Sequence, residues 1–191
     1  MSTAPIAIAR LRISLDGIEP EIWRTVEIPV TSSLKLLHDV IQAAMGWQDD
    51  HLWRFDAGDR RYGMPDPGWP DRTLIAASKV TLGALVERGV RQFTYTYDLG
   101  DDWRHTVAVE AVAPAAAATR YPRLVAGARR CPPEDVGGLP GFALFLDAVA
   151  DPTHEDHEQL SEWHGGPFDP EDMDEPALQR AIATIARQCV G

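Results

Sequence analysis

The chain has 191 residues, a net charge of −11, 45% hydrophobic residues and two cysteines, Cys131 and Cys189. That length suits one domain burying roughly 70% of its unfolded surface, and two cysteines exclude a disulfide framework. No run approaches the ~20 apolar residues of a membrane span, and Arg10 and Arg12 precede any signal-like apolar core, so a cytoplasmic protein without membrane contact is expected.

Ile6, Ile8, Leu11, Ile13 and Leu15 alternate with one slip, which predicts a bulged strand. Asp16-Gly17 turns the chain into a second strand over Glu21 to Ile28, ended by Pro29. In TSSLKLLHDVIQAAMGW a serine cap precedes Leu34, Leu37, Val40, Ile41, Ala44 and Met45 at helical spacing, and Gly46 is the expected C-cap. His51 to Asp56 reads as a short strand, residues 63–72 as a Pro/Gly-rich loop, and Thr81 as the cap of a short helix closed by Gly89.

Residues 91–109 predict a hairpin. Phe93, Tyr95 and Tyr97 share one face of its first arm, and Trp103, His105, Val107 and Val109 share one face of its second. Its tip, YDLGDDWRH, is the densest cluster of chemical side chains in the chain. After the low-complexity PAAAAT, the RRCPPEDVGG stretch is too rich in proline and glycine for a helix or central strand. Helices follow over Phe142 to Val149, over His154 to Trp163, and from Asp174-Glu175-Pro176 through Leu178, Ile182, Ile185 and Cys189.

Two readings of function arise from different residues. In the first, Asp101, Asp102, His105, Glu134 and Asp135 are catalytic candidates, and His105, Cys131, His154 and His157 are candidate ligands of a divalent metal in a hydrolase. Histidines three apart on one helix can face one atom; set against this, His105 on the apolar strand face also fits a buried, hydrogen-bonded histidine. In the second, the chain is a binding module: Trp69, Trp103 and Trp163 are its aromatic anchors, and its acidic C-terminal region meets a protein partner. Residues 151–191 hold ten Asp/Glu against two Arg, a net of −8. This charge opposes general nucleic-acid binding, and no basic recognition helix supports a resolvase or transposase.

The motifs YDLGDDWRH, CPPEDVGG, DPTHEDHE and WHGGPFDPEDMD, in that order after EIWR, GW and HLWRF, resemble the plasmid pRiA4b ORF-3-like family over nearly the whole length. Leu99 stands where that family commonly has phenylalanine, and the asparagine expected shortly after FDPEDMD is missing. The resemblance implies an α+β roll-like single domain and an origin among bacterial plasmids and mobile elements. It supplies no catalytic residues.

The expected architecture is thus one α+β domain, an antiparallel sheet of hairpins packed against a long helix. Residues 1–112 form its hairpin–helix–hairpin core, 113–140 a loop region and 141–191 a helical acidic tail. The favoured function is a soluble binding or accessory module.

Overall fold

The computed structural model describes residues 6–65 and 73–188. Two hairpins expected from alternation, β1 (Ala7–Leu15) with β2 (Ile22–Pro29) and β6 (Gln92–Tyr97) with β7 (Trp103–Pro114), join because β1 pairs β7. Four further strands extend this centre: β3 (Trp53–Ala57), β4 (Arg60–Gly63), β5 (Leu74–Ala76) and β8 (Arg123–Ala128). The result is one eight-stranded sheet in the order β5-β4-β3-β6-β7-β1-β2-β8, antiparallel except where β5 runs parallel to β4. The fold is α+β, as the sequence indicated, and the expected strands lie in a single sheet.

Helix α1 (Leu34–Met45) crosses the sheet and forms where its signals stand. Ser33 Oγ accepts from the Leu36 N–H, and Gly46, at φ 86°, ends the helix in the left-handed conformation that glycine adopts without steric cost. Leu34, Leu37, Val40, Ile41 and Met45 on its inner stripe meet Leu11, Ile13, Val26, Phe55, Tyr95 and Val107 from the sheet, all buried. Each such side chain contributes roughly 1.5–3 kcal/mol by leaving water. Helix α2 (Leu82–Glu87) starts at Thr81, whose hydroxyl accepts from the Ala84 N–H. Helices α3 (Gly138–Ala150), α4 (His157–His164) and α5 (Glu175–Gln188) follow β8.

Three details differ from the expected layout. The β1 alternation slips where a bulge does occur, but the additional residue is Glu110 on β7, since Arg10 pairs Ala111 while Leu11 pairs Val109. Strand β8 lies within the expected loop region; its RLVAGA sequence has weak alternation because a second irregularity, beside Val26, leaves Val125 unpaired. Helix α4 begins at His157, so His154 lies in the preceding turn. Trp69 and Cys189 lie outside the described residues.

Candidate functional site: a cleft and a histidine–carboxylate cluster

The polar loops converge at one end of the sheet. The β6–β7 tip holds Asp98 and Asp102 at positive φ, and Asp98 Oδ1 accepts from the N–H groups of Gly100 and Asp101, which closes the turn. Asp101 Oδ2 accepts from the Gly137 N–H, joining the tip to the Pro-rich loop. Gly138, at φ +67°, sits so close that a Cβ would lie 2.8 Å from the Asp101 carbonyl oxygen. Gly138→Ala is therefore expected to lose about 1–3 kcal/mol in a thermal melt, through strain at positive φ and displacement of the tip.

That loop is held from below by Arg24. The guanidinium is completely buried and has five contacts for its five N–H groups. Nε donates to Ala44 O, Nη1 to Trp23 O and Ala128 O, and Nη2 to Arg129 O, with Cys131 Sγ 3.6 Å away. It thereby ties the end of α1 to the segment leaving β8. Cys131 also packs 3.2 Å from Met45 Sδ, and burial pushes its thiol up to about 11. A protonated, enclosed thiol is neither a ready nucleophile nor a ready metal ligand.

Above Cys131 opens a cleft of about 570 Å³ between the α1 terminus, the Pro-rich loop and the α4–α5 segment. Trp47, Phe168, Met173 and Leu178 contribute apolar lining, while Arg130, Glu134, Asp135 and Asp174 contribute charge. Trp47 Nε1 donates to Pro132 O, so the indole braces the loop. Trp163 is 47% exposed in the same lining, with its ring edge-on to Phe145.

Next to this cleft, His51 stands among three carboxylates. Its Nδ1 lies 3.8 Å from Asp98 Oδ2, and its Nε2 lies 3.0 Å from Asp135 Oδ1 and 3.9 Å from Glu134 Oε2. Glu134 is fixed through its other oxygen, which accepts from the Gln48 N–H and the Tyr97 hydroxyl. Burial and the neighbouring Glu134 raise the Tyr97 pKa, keeping it a hydrogen-bond donor.

A second polar group lies inside. Gln42 Oε1 accepts from the Asp49 N–H, so Gln42 Nε2 donates to the Tyr95 hydroxyl. Tyr95 in turn donates to His38 Nδ1, and His38 Nε2–H donates to Asp49 Oδ1, each at 2.7 Å. His38 also stacks on Trp53 at 3.9 Å. Burial, aided by Lys35, lowers its pKa to about 3, so it stays neutral.

The candidates chosen from sequence separate accordingly. Asp101, Glu134 and Asp135 belong to the tip–loop junction, whereas exposed Asp102 pairs with Arg104 at 2.8 Å. His105 is fully buried, 3.3 Å from the Tyr95 carbonyl and edge-on to Trp47; burial lowers its pKa to about 4. His154 Nδ1 accepts from the Asp156 N–H, and His157 Nδ1–H donates to the Ala148 carbonyl, so both staple local structure. Among the described residues, none of His105, Cys131, His154 or His157 falls in a three-ligand cluster. Trp103 is core, 1% exposed, because its strand face is the buried one. Sequence reasoning passed over His51 and Arg24. Arg24 had a signal, since it shares the inward register of Ile22, Val26 and Ile28.

The family model described as "Plasmid pRiA4b ORF-3-like protein" matches residues 7–177. The chain belongs to this family. The chain is similar to MM3350 of Methanosarcina mazei Go1, whose crystal structure is titled as that of a protein of unknown function. Its TM-score is 0.82 and its identity 32%, with 91% of this chain and 98% of that one covered. The chain is also 39% identical over 181 residues to uncharacterized protein y4hQ of Sinorhizobium fredii (strain NBRC 101917 / NGR234), covering 94% of this chain and 93% of that protein. Among the described residues of this pRiA4b ORF-3-like protein, no helix is long and apolar enough to cross a membrane.

Proposed function

We propose that the chain is a binding module of the cytoplasm whose cleft receives a basic polypeptide segment carrying an apolar or aromatic side chain. The observation that carries this reading is the exposed Trp163 in a cleft of about 570 Å³ whose walls are part apolar and part acidic, within the range of ligand pockets. Tryptophan at the mouth of such a cleft is a favoured anchor, and Phe168, Met173 and Leu178 supply a dry seat for the incoming side chain. The −8 charge of residues 151–191 supports a basic partner by steering encounter, and Arg130, the cation in the lining, is engaged with Asp172. The free thiol Cys131 is consistent with a reducing compartment.

The test is fluorescence anisotropy with labelled peptides rich in Lys/Arg and bearing one Trp or Leu. Binding should weaken with added salt, and Trp163→Ala should weaken it at least tenfold while the melt stays cooperative, lowered only by the lost packing on Phe145. Equal binding by acidic peptides, or by the Trp163→Ala variant, would refute the reading.

A further inference from the structure

We infer that His51, Asp98 and Asp135, with Glu134 beside them, form a site for a divalent first-row transition metal. The ligand atoms of His51, Asp98 and Asp135 all lie within 4.8 Å of one another. Bonds of about 2.0–2.2 Å to a common ion require ligand separations of roughly 3–4.4 Å, so the approach needed is small. Asp135, 71% exposed, can make it by side-chain rotation.

Three observations point the same way. First, less than 1 Å² of His51 Nε2 meets solvent and this nitrogen has no hydrogen-bond partner, although Asp135 Oδ1 is only 3.0 Å away. An enclosed ring nitrogen without a bond carries a desolvation penalty that a metal would remove. Second, two carboxylates are anchored on one oxygen only. Asp98 Oδ1 is occupied by two backbone N–H groups and Glu134 Oε1 by Gln48 and Tyr97, leaving Glu134 Oε2 free 3.9 Å from Nε2 and Asp98 Oδ2 free on the Nδ1 side of the ring, 3.8 Å from that nitrogen. Such outer hydrogen bonds are how metal sites orient their ligands. Third, among the described residues no lysine or arginine pairs with Asp98, Glu134 or Asp135, so His51 alone faces three negative groups.

The other histidine–carboxylate group, His38 with Asp39 and Asp49, supplies the contrast. Both nitrogens of His38 are hydrogen-bonded, and Lys35 already places a cation against Asp39 and Asp49. One imidazole with two or three carboxylates suits Zn²⁺ or Mn²⁺ better than a soft thiolate-seeking ion. Metal there joins the segment before β3, the β6–β7 tip and the Pro-rich loop, three pieces of chain with no covalent tie.

The experiment is isothermal titration of the full, chelator-stripped chain with ZnCl₂ and, separately, MnCl₂, with thermal melts alongside. The expected result is one equivalent bound and a rise in melting temperature that excess chelator reverses. His51→Gln and Asp135→Asn should each weaken binding at least tenfold, and Asp39→Asn should leave it unchanged. Asp135→Asn alters an exposed side chain, so its metal-free melt should match the parent and keep a binding loss interpretable. No uptake of either metal, or uptake that survives in both His51→Gln and Asp135→Asn, would overturn the assignment. The titration contains no peptide, so its outcome is separate from the Trp163 test.

Discussion

Arg24→Met is expected to lose about 3–5 kcal/mol of stability in urea unfolding at neutral pH, a large part of the roughly 5–15 kcal/mol that holds a domain folded. Two effects compete at this position. Removing a buried charge relieves a desolvation penalty, and apolar replacement of whole buried ion pairs is sometimes neutral. Here the partners are the carbonyls of Trp23, Ala44, Ala128 and Arg129, which no side-chain change can remove. The buried Ala44 carbonyl left without a donor costs about 1–3 kcal/mol, and the three part-buried carbonyls add to it, so the loss outweighs the relief. Arg24→Lys should recover only part, because an ammonium has three donors and lacks the planar fork that reaches α1 and the segment after β8 together. A methionine variant within about 1 kcal/mol of the parent would show that water or backbone movement satisfies those carbonyls. The same variant should disturb the cleft, since Arg24 holds Ala44, next to the lining residue Met45, and contacts Cys131, which lines the cleft.

The legible parts of the molecule were those set by local chemistry. Strands β1, β2, β6 and β7 announce themselves by alternation, and α1 by Ser33, its apolar stripe and Gly46, because each signal acts over a few residues. Strand β8 was not legible, since its place depends on pairing with β2 about a hundred residues earlier and on cover from α5. The candidate site divides in the same way. Asp101, Glu134 and Asp135 are legible from turn and loop composition, but which histidine joins them is decided by tertiary contact. Spacing drew attention to His154 and His157, whereas the chain start of α4 puts them in different elements. His51 looked like an ordinary residue before a strand. Only the docking of the β6–β7 tip on the Pro-rich loop, through Asp101 and Gly137, brings its partners to it.

His105→Phe is expected to change the acid response of the fold and little else. An unfolded histidine titrates near 6.5. Burial holds His105 in the folded chain down to about 4, and His38 to about 3. Above pH 6.5 both rings are neutral folded or unfolded, so their full contribution to stability is present. As pH falls below 6.5 the unfolded chain takes up protons that the folded chain refuses, and stability drops by about 1.4 kcal/mol per pH unit for each ring. For His105 the total lost by pH 4 is on the order of 3 kcal/mol. His38 adds in the same direction, moderated by the Asp39 carboxylate. Phenylalanine removes one titration and the unbonded Nε2, and it keeps an aromatic ring against Trp47 and Tyr95. The Nδ1 contact to the Tyr95 carbonyl, at 3.3 Å, is long, so its loss should stay within about 1 kcal/mol at pH 7. By pH 5 the variant should be about 2 kcal/mol more stable relative to the parent than it is at pH 7. Carboxylates held low by arginines, such as Glu27, also weaken the fold in acid, but they do so equally in both proteins and cancel in the difference. Urea midpoints at pH 5, 6 and 7 decide it. Parallel profiles for the two proteins would mean that His105 takes up its proton in the folded state, and that the dry aromatic setting around it opens to water.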